Sequence, residues 1–237
     1  MEPFLYQIVH LYQGRARMLK EHVARLHVAS CDLFGRAYRP DLKQLEQRLL
    51  AEVERERYPD AVSSFVRIEL FDTGEENTFG VGTSLYAGYA LRSVRPETLS
   101  IPYDLPYETM SVASLSAHAV AQCRARAQGA DEAVRVDREG VIRSLGEGSI
   151  YGFREGILVA PKTLHTATDV ALWEAVRASR IPAVQHPILQ GELSLYDELF
   201  VVDHRGVTSL SKVDGRPLPA IRAERMADLL ERWVSVQ

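Results

Sequence analysis

Alternation opens the chain: FLYQIVHLYQGRARM steps between apolar and polar positions and turns at Gln13-Gly14, the pattern of a β-hairpin. LKEHVARLHVASCDLFG then spaces Leu19, Val23, Leu26, Val28 and Cys31 at roughly helical intervals and stops at Gly35, a residue suited to a helix C-terminus. DLKQLEQRLLAEVERER predicts a second helix, with Leu42, Leu45, Leu49 and Val53 on one face. SFVRIELF (64–71) alternates Val66, Ile68 and Leu70 and reads as a strand, its partner expected at Thr83–Arg92 after a glycine-rich turn.

The stretch LRSVRPETLSIPYDLPYE is rich in proline and polar residues and reads as a linker. It places a boundary near residue 92, between a small N-terminal α+β domain (1–92) and a larger C-terminal α+β domain (93–237). The second half opens with a predicted helix over Ser114–Gln128 and continues as a meander: EAVRV, a turn at Asp137–Gly140, VIRSL, SIYGF, a turn at Arg154–Gly156, and ILVAP. Helices are expected near Thr168–Ala178 and Ile221–Val234, flanking a strand at Leu199–Asp203 and a hairpin that turns at Asp214-Gly215. No internal repeat or low-complexity tract interrupts this α+β order.

Composition narrows the classes. With 237 residues, 46% of them apolar and 25% charged, the chain is ordinary for a globular protein with a real core. A net charge of −4 argues against nucleic acid or an anionic membrane as the main partner. The start has neither a basic segment nor the apolar run of a signal peptide, and no apolar run is long enough to span a bilayer, so a cytoplasmic location is expected. Cys31 and Cys123 lie far apart with no CxxC pattern and are expected to be buried free thiols. Arginines number 24 against four lysines, Lys20, Lys43, Lys162 and Lys212, which leaves few candidates for an amine nucleophile.

Common catalytic signatures are missing. The sequence has no P-loop, GxGxxG, GxSxG or HExxH. His22 and His27, five apart on one predicted helix, point in different directions and make a poor metal pair; His22 reads as a hydrogen-bonding residue of the helix face. Ser116 and His118, two apart on a predicted helix, lie on opposite sides and do not form a nucleophile–base pair.

Four ordered stretches carry a resemblance: EHVARL (21–26), FVRIELF (65–71 within SFVRIELF), GADEAVRVDREGVIRSLGEGSIY (129–151), and DELFVV with VDGRPL after it. Together they resemble the fold-type IV pyridoxal-phosphate family, which includes class IV aminotransferases, D-amino-acid aminotransferases and 4-amino-4-deoxychorismate lyases. The resemblance implies a two-lobe D-amino-acid aminotransferase-like α+β fold. Family members begin with a longer N-terminal segment, so the chain is expected to be a short form.

The family's cofactor chemistry needs a lysine for the internal aldimine, a carboxylate on the pyridine nitrogen, an arginine on the phosphate and a helix N-terminus with a threonine. By resemblance, Arg25 in HVARL takes the phosphate arginine's position. The lysine position falls on Ser111, and no lysine exists between Lys43 and Lys162. Ser144 stands where the family has its glutamate, and Ser149 where asparagine is usual. LHTATD (164–169) matches L-x-G-I-T-R, keeping Thr168 but placing Thr166 at the glycine and Asp169 at the arginine. Asp169 would favour a helix dipole and repel a phosphate at the same spot. After DELFVV the expected Gly-Thr phosphate turn reads Asp203-His204-Arg205-Gly206.

These departures predict a homologue that has lost its catalytic lysine and glutamate and serves as a non-catalytic or repurposed binding protein. Arg25, Arg67, Thr168 and Ser149 are its candidate ligand or phosphate contacts. The alternative is a pyridoxal-phosphate aminotransferase or aminodeoxychorismate lyase working through an outside lysine, Lys162 before Lys212, or through non-covalent cofactor. Pyridoxal phosphate is thus implied by resemblance only, and its covalent capture is not expected. A homodimer is expected, or a heteromer with an active paralogue, with a small anionic ligand and with no nucleic-acid or membrane partner.

Overall fold

The computed structural model describes residues 4–90, 92–94, 98–102, 123, 125–130, 132–164 and 166–236. They form two compact units, one ending at Gly88 and the other starting at Tyr89.

The first unit is a four-stranded antiparallel sheet with two helices. Strands β1 (Phe4–Tyr12), β2 (Arg15–Ala16), β3 (Ser64–Phe71) and β4 (Glu76–Thr83) lie in the order β2-β1-β3-β4. The β1–β2 turn falls at Gln13-Gly14, both at positive φ, as a tight hairpin requires. Helix α1 (Leu19–Phe34) ends on Gly35 in the left-handed conformation, and α2 (Leu42–Arg55) starts under the Asp41 carboxylate, which accepts from the Lys43 and Gln44 N–H groups. Leu26, Leu45 and Leu49 pack against Leu5, Val9, Val66 and Ile68 as the core.

Two expectations fail in α1. Val28 is exposed and so is Cys31, because the helix turns Leu26, Ala29 and Ser30 inward instead; Cys123 is exposed too. His22 is buried and its Nδ1 lies 2.9 Å from Gln7 Oε1, as expected of a hydrogen-bonding residue.

The partner of β3 also lies earlier than Thr83–Arg92. The chain reverses immediately after Phe71, with Gly74 at φ +90, and residues Glu76–Thr83 pair with β3. Gly80 and Gly82 blur the alternation, and Gly80 has a packing reason: a Cβ there would lie 2.7 Å from Glu56 Cγ and 2.9 Å from the Tyr58 hydroxyl.

The second unit is built on an 11-stranded mixed sheet. The stretch read as a linker contributes two of its strands, β5 (Arg92–Val94) and β6 (Thr98–Pro102). Both pair in parallel, β5 with β13 (Gly206–Leu210) and β6 with β7 (Glu132–Val136). The predicted meander comes next as β7, β8 (Ile142–Leu145), β9 (Gly148–Arg154) and β10 (Ile157–Ala160). Helix α3 (Ala167–Ala178), β11 (Ala183–Gln185), a 3₁₀ turn (Gln190–Leu195) and β12 (Glu198–Asp203) continue the chain. The hairpin β14 (Lys212–Val213) and β15 (Arg216–Pro217) turns at Asp214-Gly215, and α4 (Ile221–Val236) closes the unit. The helix predicted over Ser114–Gln128 lies mostly outside the described residues, as do Ser116 and His118.

Strand β12 sits centrally, between β9 and β13, and all six of its residues are buried. Ile150, Leu199, Val201 and Leu210 form the core of this sheet with Val134 and Ile142. No described helix is long and apolar enough to cross a membrane.

Candidate functional site: a buried carboxylate at a helix start

Helix α3 begins with a reciprocal cap. The Thr166 Oγ1 accepts from the Asp169 N–H at 3.0 Å, and Asp169 Oδ2 accepts from the Thr166 N–H at 2.8 Å. Two side chains of β9 complete the carboxylate's shell: Ser149 donates its hydroxyl to Oδ2 at 2.8 Å, and Tyr151 donates to Oδ1 at 3.2 Å. Ser149 and Tyr151 are two apart on a strand and therefore share a face. Ser149, Tyr151, Thr168 and Asp169 are all fully enclosed.

A buried carboxylate is costly unless its oxygens are hydrogen-bonded, and here they accept from two hydroxyls and a backbone N–H. The helix dipole adds to that stabilisation, because Asp169 sits in the positive first turn. Burial, and after it the Asp169 charge and hydrogen bond, push the Tyr151 hydroxyl well above the ordinary tyrosine range. Tyr151 is held flat against Phe200, ring centroids 5.4 Å apart. The Thr168 hydroxyl is buried and has no hydrogen-bond partner among the described residues.

Ser144 lies on the neighbouring strand β8 and is buried. Its hydroxyl accepts from Arg135 Nε at 2.6 Å, and Arg135 is its cross-strand partner on β7. Arg135 Nη2 also donates to the Gly146 carbonyl at 3.2 Å. A second buried acid closes the turn after β12: Asp203 accepts from Arg205 Nε and from its backbone N–H, each at 2.8 Å. Burial alone would raise the Asp203 carboxyl, but His204 and Arg205 together hold it below the usual carboxylate range.

The structure brings Ser149 together with Asp169 at the start of α3, next in sequence to Thr168. Arg25 and Arg67 belong to the first unit. Arg25 is half-buried on α1. Arg67 is half-buried on β3, ion-paired with Glu69 and set over the rings of Phe4, Tyr6 and Phe79 at 5.6, 5.9 and 5.4 Å. Lys162 is exposed in the segment between β10 and α3, and Ser111 lies outside the described residues. Sequence reasoning missed Tyr151 and Arg135. Tyr151 stands two residues beyond Ser149 on a predicted strand, and that spacing is the signal that could have found it. Among the described residues no group of three His, Cys, Asp or Glu side chains is placed to hold a metal ion.

An anion set against the first turn of α3 would face the Asp169 carboxylate, and the Thr166 N–H is already committed to that carboxylate. These residues do not fit a phosphate group.

Known proteins share this fold. The family model for amino-transferase class IV matches residues 5–203, and the chain belongs to that family. Among solved structures, a hypothetical aminotransferase from Mycobacterium tuberculosis in its PLP-bound form is similar with a TM-score of 0.80 at 17% identity, over 99% of this chain and 90% of that one. A candidate 4-amino-4-deoxychorismate lyase from Legionella pneumophila gives a TM-score of 0.79 at 13% identity, over 97% and 91%. The branched-chain aminotransferase from Thermoproteus uzoniensis, solved with norvaline, gives 0.77 at 17% identity, over 97% and 84%. No curated protein sequence matches the chain.

Proposed function

We propose that the chain is a class IV aminotransferase-like protein that has given up transamination and uses the inherited scaffold to bind a small molecule or a partner subunit. One observation carries this reading: the Asp169 carboxylate is buried at the start of α3 and bonded to Ser149, Tyr151 and the Thr166 N–H. By the family resemblance, this helix start is where the phosphate of pyridoxal phosphate would be held. A resident carboxylate takes the phosphate's electrostatic role there and repels a second anion.

Three features of the sequence and structure support the same reading. Ser144 offers a neutral hydroxyl at the family's glutamate position, and a hydroxyl already bonded to Arg135 cannot hold a pyridine nitrogen protonated as a carboxylate does. Serine at position 111 supplies no amine, and Lys162 is exposed in its turn. Glu69 meets the Arg67 charge, which makes Arg67 a weaker contact for an anionic ligand than a lone strand arginine would be.

The test is a half-reaction. Purified chain is mixed with excess pyridoxal phosphate and then with a panel of L- and D-amino acids, and the cofactor absorbance is recorded over time. The reading expects no amino-acid-dependent change beyond that of the cofactor in buffer. A saturable change with any amino acid would replace it with the alternative, an enzyme that works through an outside lysine or a non-covalent cofactor. Light scattering of the pure chain tests the accompanying proposal of a homodimer.

A further inference from the structure

Strand β9 and helix α3 begin near Asp169; at their other ends lies a groove of about 500 Å³ between the β9–β10 hairpin, the end of α3 and helix α4. Phe153, Met226 and Leu229 give it an apolar lining. Three guanidinium groups, Arg222, Arg225 and Arg232, line it as well, and no carboxylate does.

Each arginine is held differently. Arg222 stands over the Phe153 ring at 5.2 Å, with its backbone N–H anchored on Glu198. Its Nη1 is buried without a hydrogen bond among the described residues, since Asp197 Oδ2 comes no closer than 3.8 Å. Arg232 Nε reaches only a backbone carbonyl, that of Asp228, at 3.2 Å. Arg225 is exposed and pairs with no carboxylate among the described residues. In a chain of net charge −4, three cations around an apolar lining, of which only Arg222 has a carboxylate within ion-pair distance among the described residues, that of Asp197 at 3.8 Å, form a local positive trap.

We propose that this groove binds a small amphipathic anion, a phosphate monoester on an apolar body. The volume lies in the range of small-molecule sites, which pair an apolar wall with a few fixed polar groups. A phosphate dianion can accept forked hydrogen bonds from more than one guanidinium at once, here those of the exposed Arg225 and Arg232. The apolar body covers Phe153, Met226 and Leu229. The inference does not rest on the fate of the transamination site, because none of its residues takes part in the Asp169 network.

Calorimetry on the full chain tests it, with octyl phosphate as probe and inorganic phosphate and octyl glucoside as its two halves. Octyl phosphate is expected to bind one per chain, at least about tenfold tighter than either half. The double variant Arg225→Glu/Arg232→Glu, two exposed positions, is expected to lose at least about tenfold in affinity. Saturable binding that is unchanged in the variant would put the ligand elsewhere and overturn the proposal. So would the absence of saturable binding, or binding of phosphatidic-acid vesicles without any of monomeric octyl phosphate, which would make the arginines a membrane-facing patch.

Discussion

Ser149 donates its hydroxyl hydrogen to Asp169 Oδ2 across 2.8 Å, and this bond ties the start of β9 to the first turn of α3. By the resemblance drawn from the sequence, the contact would join two positions at which the chain departs from its family's pattern, a serine for asparagine and an aspartate for arginine. The departures are mutually satisfied: the carboxylate that disfavours a phosphate is itself solvated by the serine, by Tyr151 and by the Thr166 N–H.

Asp169→Ala removes the acceptor of all three donors. A lost cap costs about 1 kcal/mol, and each buried donor left unpaired costs about 1–3 kcal/mol. The variant is expected to lose about 3 kcal/mol or more in urea unfolding at pH 7. Asp169→Asn keeps one acceptor oxygen and is expected to lose less. Equal stability of the three proteins would contradict the network.

Under the proposed function the same carboxylate keeps anions from the start of α3. Two unit charges about 4 Å apart at an effective dielectric near 20 interact by about 4 kcal/mol. Asp169→Asn is therefore expected to bind inorganic phosphate at least about tenfold tighter than the parent chain, read by calorimetry. No gain would mean that something other than this charge keeps phosphate away.

Tyr151 predicts an alkaline limb. Its pKa is raised in the folded state, so between the unfolded value of about 10 and the folded value the native state holds a proton that the unfolded chain has lost, and stability falls as pH rises through that interval. In linkage terms the Tyr151 contribution is complete below the unfolded value and declines above it, by at most about 1.4 kcal/mol per pH unit. Tyr151→Phe is expected to show a shallower decline between pH 10 and 11 in urea midpoints, and an unchanged decline would remove Tyr151 as its source.

Asp203 predicts the opposite limb. A carboxyl lowered in the folded state contributes stability that is complete above its unfolded pKa, about 4, and is lost as pH falls through the folded value. Asp203→Asn should be clearly less stable than the parent chain at pH 7, with the gap narrowing toward pH 2. A gap independent of pH would assign the loss to packing.

Gly148 is a packing constraint next to the site. A Cβ there would lie 2.4 Å from Val201 Cγ2 and 2.8 Å from the Val202 carbonyl oxygen. Gly148→Ala is expected to cost about 1–3 kcal/mol as overpacking, read from the urea midpoint.

Local periodicity made most elements legible. The Gln13-Gly14 hairpin, the two leucine-rich helices and the meander from Glu132 to Ala160 all arise from spacing and turn residues. The misses have physical causes. Strand β4 carries two glycines that interrupt its alternation, one of them required by Glu56 and Tyr58. The proline-rich stretch after residue 91 forms β5 and β6 because parallel partners β13 and β7 supply the pairing from a distance. For the candidate site, Asp169 was readable as a first-turn acid, since the Thr166–Asp169 box is local. Its bonds to Ser149 and Tyr151 depend on β9 passing beside α3, 20 and 18 residues away in sequence, which local spacing does not encode.

Borohydride reduction of the pure chain with pyridoxal phosphate, then mass mapping of Lys20, Lys43, Lys162 and Lys212, tests the central claim most directly. The account predicts no lysine modified beyond the level of a denatured control. A stoichiometric adduct on one lysine would contradict it and mark that residue as the amine of a working pyridoxal-phosphate enzyme.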